Sequence, residues 1–165
     1  MQLKKGRCKT NVGKQFEDDV QKLLESSGFS FTREGSKRTY GISHSGKGKF
    51  DFLLENAAIE CKSIDRDTNL RMPWLGTKNT ALKAHQLKAL REYRSKGFIA
   101  GLLIQIRSKD KLYWLNIDKL SNIIIDLGMV KALTDGILSQ YAKELPTLAD
   151  FVTILVTKDG IISKV

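Results

Sequence analysis

Apolar positions recur at two spacings along the chain. In "NVGKQFEDDVQKLLESSG", Phe16, Val20, Leu23, Leu24 and Ser27 share one side at helical period and Gly28 stands past the end, which predicts a first helix from about Asn11. "FSFT" predicts a short strand. "FDFLLENAAIECK", residues 50–62, carries two alternating apolar runs around Glu55 and Asn56, the pattern of a hairpin with a two-residue turn. A second helix is predicted from about Thr80 to Lys96, closed by Gly97. The unbroken apolar run "FIAGLLIQI" fits a strand covered on both faces, pairing with "KLYWLNI" through the turn "RSKD". "DKLSNIIIDLG" and "TDGILSQYAKEL" predict two further helices, and "FVTILVTKDGIISKV" a closing hairpin. The order of elements predicts a single α/β domain over 1–165, with a mixed sheet flanked by helices.

Two polar connections interrupt this frame. Residues 35–49 form a Gly/Ser/Lys-rich stretch, read as a basic loop or short stalk. Its Gly41, Gly46 and Lys47 imitate part of a phosphate-binding loop, but Gly48 replaces the required Ser or Thr and a strand follows instead of a helix, so no nucleotide cofactor is expected. "SIDRDTNLRMPWLGTKN" is a second loop with Arg66, Arg71 and the pair Met72 and Trp74, read as exposed; Trp74 is expected to anchor its loop in the core rather than stack on a base.

The hairpin is where charge becomes informative. A turn at Glu55-Asn56 sets Leu54 against Ala57 and Asp51 against Glu60. Alternation then gives Phe50, Phe52, Leu54, Ala57, Ile59 and Cys61 to a core face, and Asp51, Leu53, Ala58, Glu60 and Lys62 to the other. Opposed carboxylates about 5 Å apart between Cβ atoms repel on a sheet. A divalent cation removes the conflict, and magnesium accepts one or two carboxylates while keeping other positions for water or phosphate. Lys62, two residues beyond Glu60 on the same face, is placed to orient or deprotonate such a water. The competing reading is plain surface ion pairing among Asp51, Glu60 and Lys62.

Composition narrows the partners. Lys and Arg outnumber Asp and Glu 11 to 5 in residues 1–49, 9 to 6 in 50–97 and 8 to 7 in 98–165, so the net charge of +10 is concentrated near the start. That bias favours a polyanion such as nucleic acid. The candidate DNA contacts are Lys4, Lys5, Arg7 and Lys9 in a basic arm over 1–10, and Arg33, Lys37, Arg38, Lys47 and Lys49 in or beside the loop, with Tyr40 for stacking. No run reaches the 18 or so apolar residues of a membrane span, and "MQLKKGRCKT" has no signal-peptide core, so an intracellular, cytoplasmic location is expected. Two cysteines and two histidines give neither a disulfide framework nor a zinc site; Cys61 reads as a buried thiol.

Glu17 in the first helix, Asp51, Glu60 and Lys62 on the hairpin and Gln86 in the next helix occur in an order that resembles the PD-(D/E)xK nuclease superfamily. "NVGKQFEDDV", "FDF", "IECKS" and "AHQLKAL" followed by "GFIAGLL" and "LYWL" are similar to the RecU-type Holliday junction resolvases, over roughly residues 10–117. The resemblance implies a restriction-endonuclease-like core. It makes Asp51 and Glu60 ligands of Mg2+, with Mn2+ as a substitute, and the main-chain carbonyl of Cys61 a further ligand. Lys62 would be the catalytic lysine, Glu17 a supporting acid and Gln86 the glutamine of the helix behind the sheet. It also implies a homodimer that cuts branched DNA at four-way junctions to leave 5′-phosphates. Phe50 takes the place of the motif's proline, and residues 35–49 match the resolvase stalk only in position. Other readings are a restriction- or repair-type relative acting on duplex or flap DNA, a non-catalytic DNA-binding module, and a protein-interaction domain. On the residues alone, Gln86 also fits a structural amide on a buried stripe and Glu17 a carboxylate near a helix start.

Overall fold

The computed structural model describes residues 12–33, 50–66, 70–73 and 81–157. The arm and the basic loop therefore lie outside the described residues, as do Trp74 and the chain beyond Thr157. Helix α1 (Val12–Ser26) buries Phe16, Val20 and Leu24 as its periodicity requires, and Gly28 past its end takes φ +78°. Strand β1 (Phe31–Arg33) follows, then β2 (Phe52–Leu54) and β3 (Ala57–Ile64). The pairs Phe52–Ile59 and Leu53–Ala58 match the register set by a Glu55-Asn56 turn.

Helix α2 (Ala84–Ser95) starts four residues later than the sequence predicts, because Leu82 is drawn into the core ahead of it. Strands β4 (Ile99–Ile106) and β5 (Lys111–Asn116) come next, joined by a 3-10 turn at Arg107–Lys109, then α3 (Ile117–Leu127). Helix α4 (Asp135–Tyr141), strand β6 (Lys143–Leu145) and helix α5 (Asp150–Thr157) complete the described chain. The sheet runs in the order β1-β2-β3-β4-β5-β6, and only β3 and β4 are parallel. The fold is thus α/β, with a six-stranded mixed sheet between two helical layers.

One layer packs Phe16, Val20 and Leu24 of α1 and Phe151, Ile154 and Leu155 of α5 on Phe52, Ile59, Leu103 and Trp114. The other packs Leu87 and Leu90 of α2, Leu120 and Ile123 of α3 and Leu138 of α4 on Ala58, Leu102, Ile104 and Leu115. Both faces of β4 are therefore covered, as its unbroken apolar run requires. Among the described residues no helix is long and apolar enough to cross a membrane.

Four expectations need correction. The closing hairpin is helix α5 over its described part: Val152, Thr153, Ile154 and Val156 favour strands, but Phe151, Ile154 and Leu155 bury at helical spacing. Thr147 and Asp150 cap its start, with the Thr147 N–H and Oγ1 both donating to Asp150 Oδ2. The last residues of "TDGILSQYAKEL" form β6, which pairs with the edge of β5. Met72 is fully buried, because Leu70 and Met72 enter the α2 layer while Arg71 bridges Ala132. Phe50 packs with the α2 layer, edge-on to Tyr93, because it lies in the bend before β2 where alternation does not hold.

Candidate active site

The ladder between β2 and β3 stops at Phe52–Ile59, whereas β3 continues to Ile64. Asp51 sits at that break. Its N–H donates to the Ile59 carbonyl at 3.1 Å, and its Oδ2 accepts the Cys61 N–H at 2.7 Å. A carboxylate thus serves a main-chain donor that has lost its strand partner. The expected face-to-face pairing of Asp51 with Glu60 is replaced by this arrangement, because Asp51 stands beyond the end of the ladder. A strand residue directs its N–H and C=O to the same edge, so the Cys61 carbonyl faces the side on which Asp51 lies.

Among the described residues Glu60, only 1% exposed, is the buried charged residue of the core, and its side chain meets Gln86 of α2. Its Oε1 meets the Lys62 ammonium at 2.6 Å and the Gln86 amide NH2 at 2.6 Å. Gln86 in turn accepts through Oε1 from the Lys83 N–H at 2.9 Å and from Lys62 Nζ at 3.3 Å. The helix-start bond fixes which way the amide faces, so the same side chain caps α2 and holds one oxygen of Glu60. The other oxygen, Glu60 Oε2, is buried and has no hydrogen-bond partner among the described residues. A buried carboxylate oxygen left in this state costs free energy unless something occupies it.

Electrostatics follow from burial. Burial pushes the Asp51 carboxyl up to about 6 against the pull of the Cys61 N–H, with Glu17 adding to the rise and Lys62 opposing it. Burial pushes Glu60 up to about 7, opposed by Lys62 and reinforced by the charges of Asp51 and Glu17. The Cys61 thiol is raised by burial and by the same acids, so it stays protonated. Each carboxyl is harder to ionise because the others are near, and a divalent cation would reverse that. Among the described residues no three His, Cys, Asp or Glu side chains form a metal-ligating group. Two carboxylates with a main-chain carbonyl could hold a cation and leave positions for water or phosphate, a donor set that suits magnesium better than zinc.

The five sequence-derived catalytic candidates divide by contact. Glu60, Lys62 and Gln86 form one hydrogen-bonded cluster, Asp51 reaches it through Cys61, and Glu17 adds its charge from α1. Of the candidate DNA contacts only Arg33 is described, and its guanidinium bonds Glu17, Asp18 and Gln21. Lys4, Lys5, Arg7, Lys9, Lys37, Arg38, Lys47 and Lys49 lie outside the described residues. Sequence reading missed that Arg33 joins the acid cluster; the nearest signal was the adjacent acids Glu17 and Asp18 one helix before a strand ending in Arg. No protein-family model matches the chain, and no curated protein matches it either.

Proposed function

We propose that the chain is a divalent-metal-dependent endonuclease acting on branched DNA, with Asp51, Glu60 and the Cys61 carbonyl as cation ligands. The observation that carries this reading is the buried Glu60 Oε2, without a hydrogen-bond partner among the described residues, whose sister oxygen is already held by Lys62 and Gln86. Bound Mg2+, or Mn2+ in its place, would supply charge stabilisation at a phosphate and a more acidic water.

The chain's own groups do the rest. Gln86 fixes the Glu60 carboxylate by tying Oε1 to the start of α2, so Oε2 keeps one direction. Asp51 is fixed through the Cys61 N–H. Lys62 holds its ammonium against Glu60 Oε1, where it can orient a water or counter negative charge developing on a phosphate. In the sequence, residues 34–49 carry Lys37, Arg38, Lys47 and Lys49 and directly precede Phe50 and Asp51, a basic composition that suits contact with phosphates.

The choice of branched DNA, of a homodimer and of four-way junction resolution rests on the resemblance to the RecU-type resolvases. The test is wild type and Asp51→Asn on a labelled four-way junction and on a linear duplex of matched sequence, with Mg2+ and with chelator. Paired nicks in the junction alone, by wild type with Mg2+ alone, are expected. Equal cutting of both substrates would move the reading to a restriction- or repair-type nuclease, and DNA binding without cleavage in any divalent ion would reduce it to a binding module.

A further inference from the structure

Helix α2 has two sides with different chemistry. Gln86 and Tyr93 turn inward, Gln86 to Glu60 and Tyr93 edge-on to the Phe50 ring. On the opposite side Ala84, Lys88 and Arg91 follow one another at i, i+4 and i+7, and all three are exposed. With Pro73, Leu87 and Glu92 they line an open groove of about 590 Å3, a volume within the range of small-ligand and peptide-anchor sites. Its floor is apolar, formed by Pro73, Ala84 and Leu87, the last being rooted in the core beneath. Among the described residues neither Lys88 nor Arg91 has a hydrogen-bond or ion-pair partner, and no ion pair joins Lys88 to Glu92, although the two stand four residues apart on one helix face. Two cations thus border an apolar groove with one acid beside them.

We propose that this outer groove of α2 docks an acidic peptide segment of another protein, with aliphatic or aromatic side chains seated on Pro73, Ala84 and Leu87 and carboxylates meeting Lys88 and Arg91. Charge complementarity selects an anion, and the floor selects an anion that carries apolar groups. Nucleic acid matches only the first requirement. The outer edge of a duplex presents phosphates and no apolar side group to fill the groove, and no aromatic ring stands among its described lining residues to stack a base. A second copy of the chain, at net charge +10, brings repulsion. The groove stands apart from Asp51 and Glu60, on the side of α2 that Gln86 faces away from, so peptide binding and DNA cleavage can each fail without the other.

The experiment is fluorescence anisotropy of the full chain with short fluorescein-labelled peptides rich in Asp and Glu, in which leucine and phenylalanine are placed at several spacings. Each peptide has a counterpart with serine at the apolar positions, and a single-stranded oligonucleotide of similar length serves as the nucleic-acid probe. Wild type is compared with Ala84→Glu, with Lys88→Glu and Arg91→Glu combined, and with the milder pair Lys88→Gln and Arg91→Gln. All three positions are exposed, and an acid in the first turn suits a helix start, so melting temperatures near wild type are expected. The expected result is that wild type binds at least one apolar-acidic peptide, and that its serine counterpart, Ala84→Glu and the double charge reversal each weaken binding about tenfold or more, with the glutamine pair in between. Failure of wild type to bind any of these peptides, or equal binding of a peptide and its serine counterpart, would overturn the proposal. So would peptide binding that survives both Ala84→Glu and the charge reversal, which would place the peptide elsewhere, or loss of oligonucleotide binding alone in these variants, which would make the groove a nucleic-acid contact.

Discussion

At the scale of single residues, the two oxygens of Glu60 have unequal surroundings: two donors crowd Oε1, while Oε2 has none among the described residues. This asymmetry has a thermodynamic consequence in the metal-free chain. In the unfolded state Asp51 and Glu60 titrate near the usual carboxylate values, whereas in the fold they keep their protons up to about 6 and about 7. Between pH 4 and 7 the folded state therefore binds more protons than the unfolded, and stability falls as pH rises. For Glu60 the loss is on the order of 3 kcal/mol. Denaturant unfolding of metal-free protein should show lower stability at pH 7.5 than at pH 5, and Glu60→Gln, which cannot titrate, should flatten that slope. An unchanged slope would mean that Glu60 is not protonated in the fold. Much of this residue-level arrangement was legible, since the Glu55-Asn56 turn determined the β2–β3 register and the buried stripe of Leu82, Ala89 and Leu90 pointed Gln86 inward. The Asp51 contact with the Cys61 N–H was not, because it depends on where the ladder ends.

At the scale of elements, the site depends on how tightly β4 supports β3. Their parallel register sets Glu60 beside Leu102 and Lys62 beside Ile104. Gly101, one position before Leu102, pairs with Ile59, and a Cβ there would overlap the Leu115 carbonyl oxygen of β5 and sit 3.0 Å from the Trp114 ring. Gly101→Ala should therefore cost about 2–3 kcal/mol through displaced backbone, read as a lower urea midpoint; a midpoint within error of wild type would show that β5 yields freely. Helix α5 offers a milder test. Asp150→Ala removes the acceptor of both Thr147 donors and should cost about 1 kcal/mol, whereas a strand in that position would be indifferent to the change. The "TLAD" segment carried this cap in plain sight, yet the β-branched run after it argued for a strand. Local propensity lost there to the burial of Phe151, Ile154 and Leu155 against the sheet. The long apolar run of β4 and the helical period of α1 were readable because burial and propensity agree in both.

At the scale of the whole molecule, positive charge is unevenly distributed along the sequence. The positive excess is largest over residues 1–49, and the chain passes from that segment into the bend that holds Asp51. In sequence, the acids of the proposed site thus follow a stretch suited to polyanions, an order that fits the proposal that a cation and a phosphate meet at Asp51 and Glu60. The most direct measurement is the time course of strand cleavage on a labelled four-way junction by wild type and Glu60→Gln, with Mg2+ and with chelator. Wild type with Mg2+ is expected to give nicks ending in 5′-phosphate, with a loss of at least about a hundredfold both in Glu60→Gln and with chelator. Cleavage by Glu60→Gln at the wild-type rate, or cleavage that survives the chelator, would contradict it.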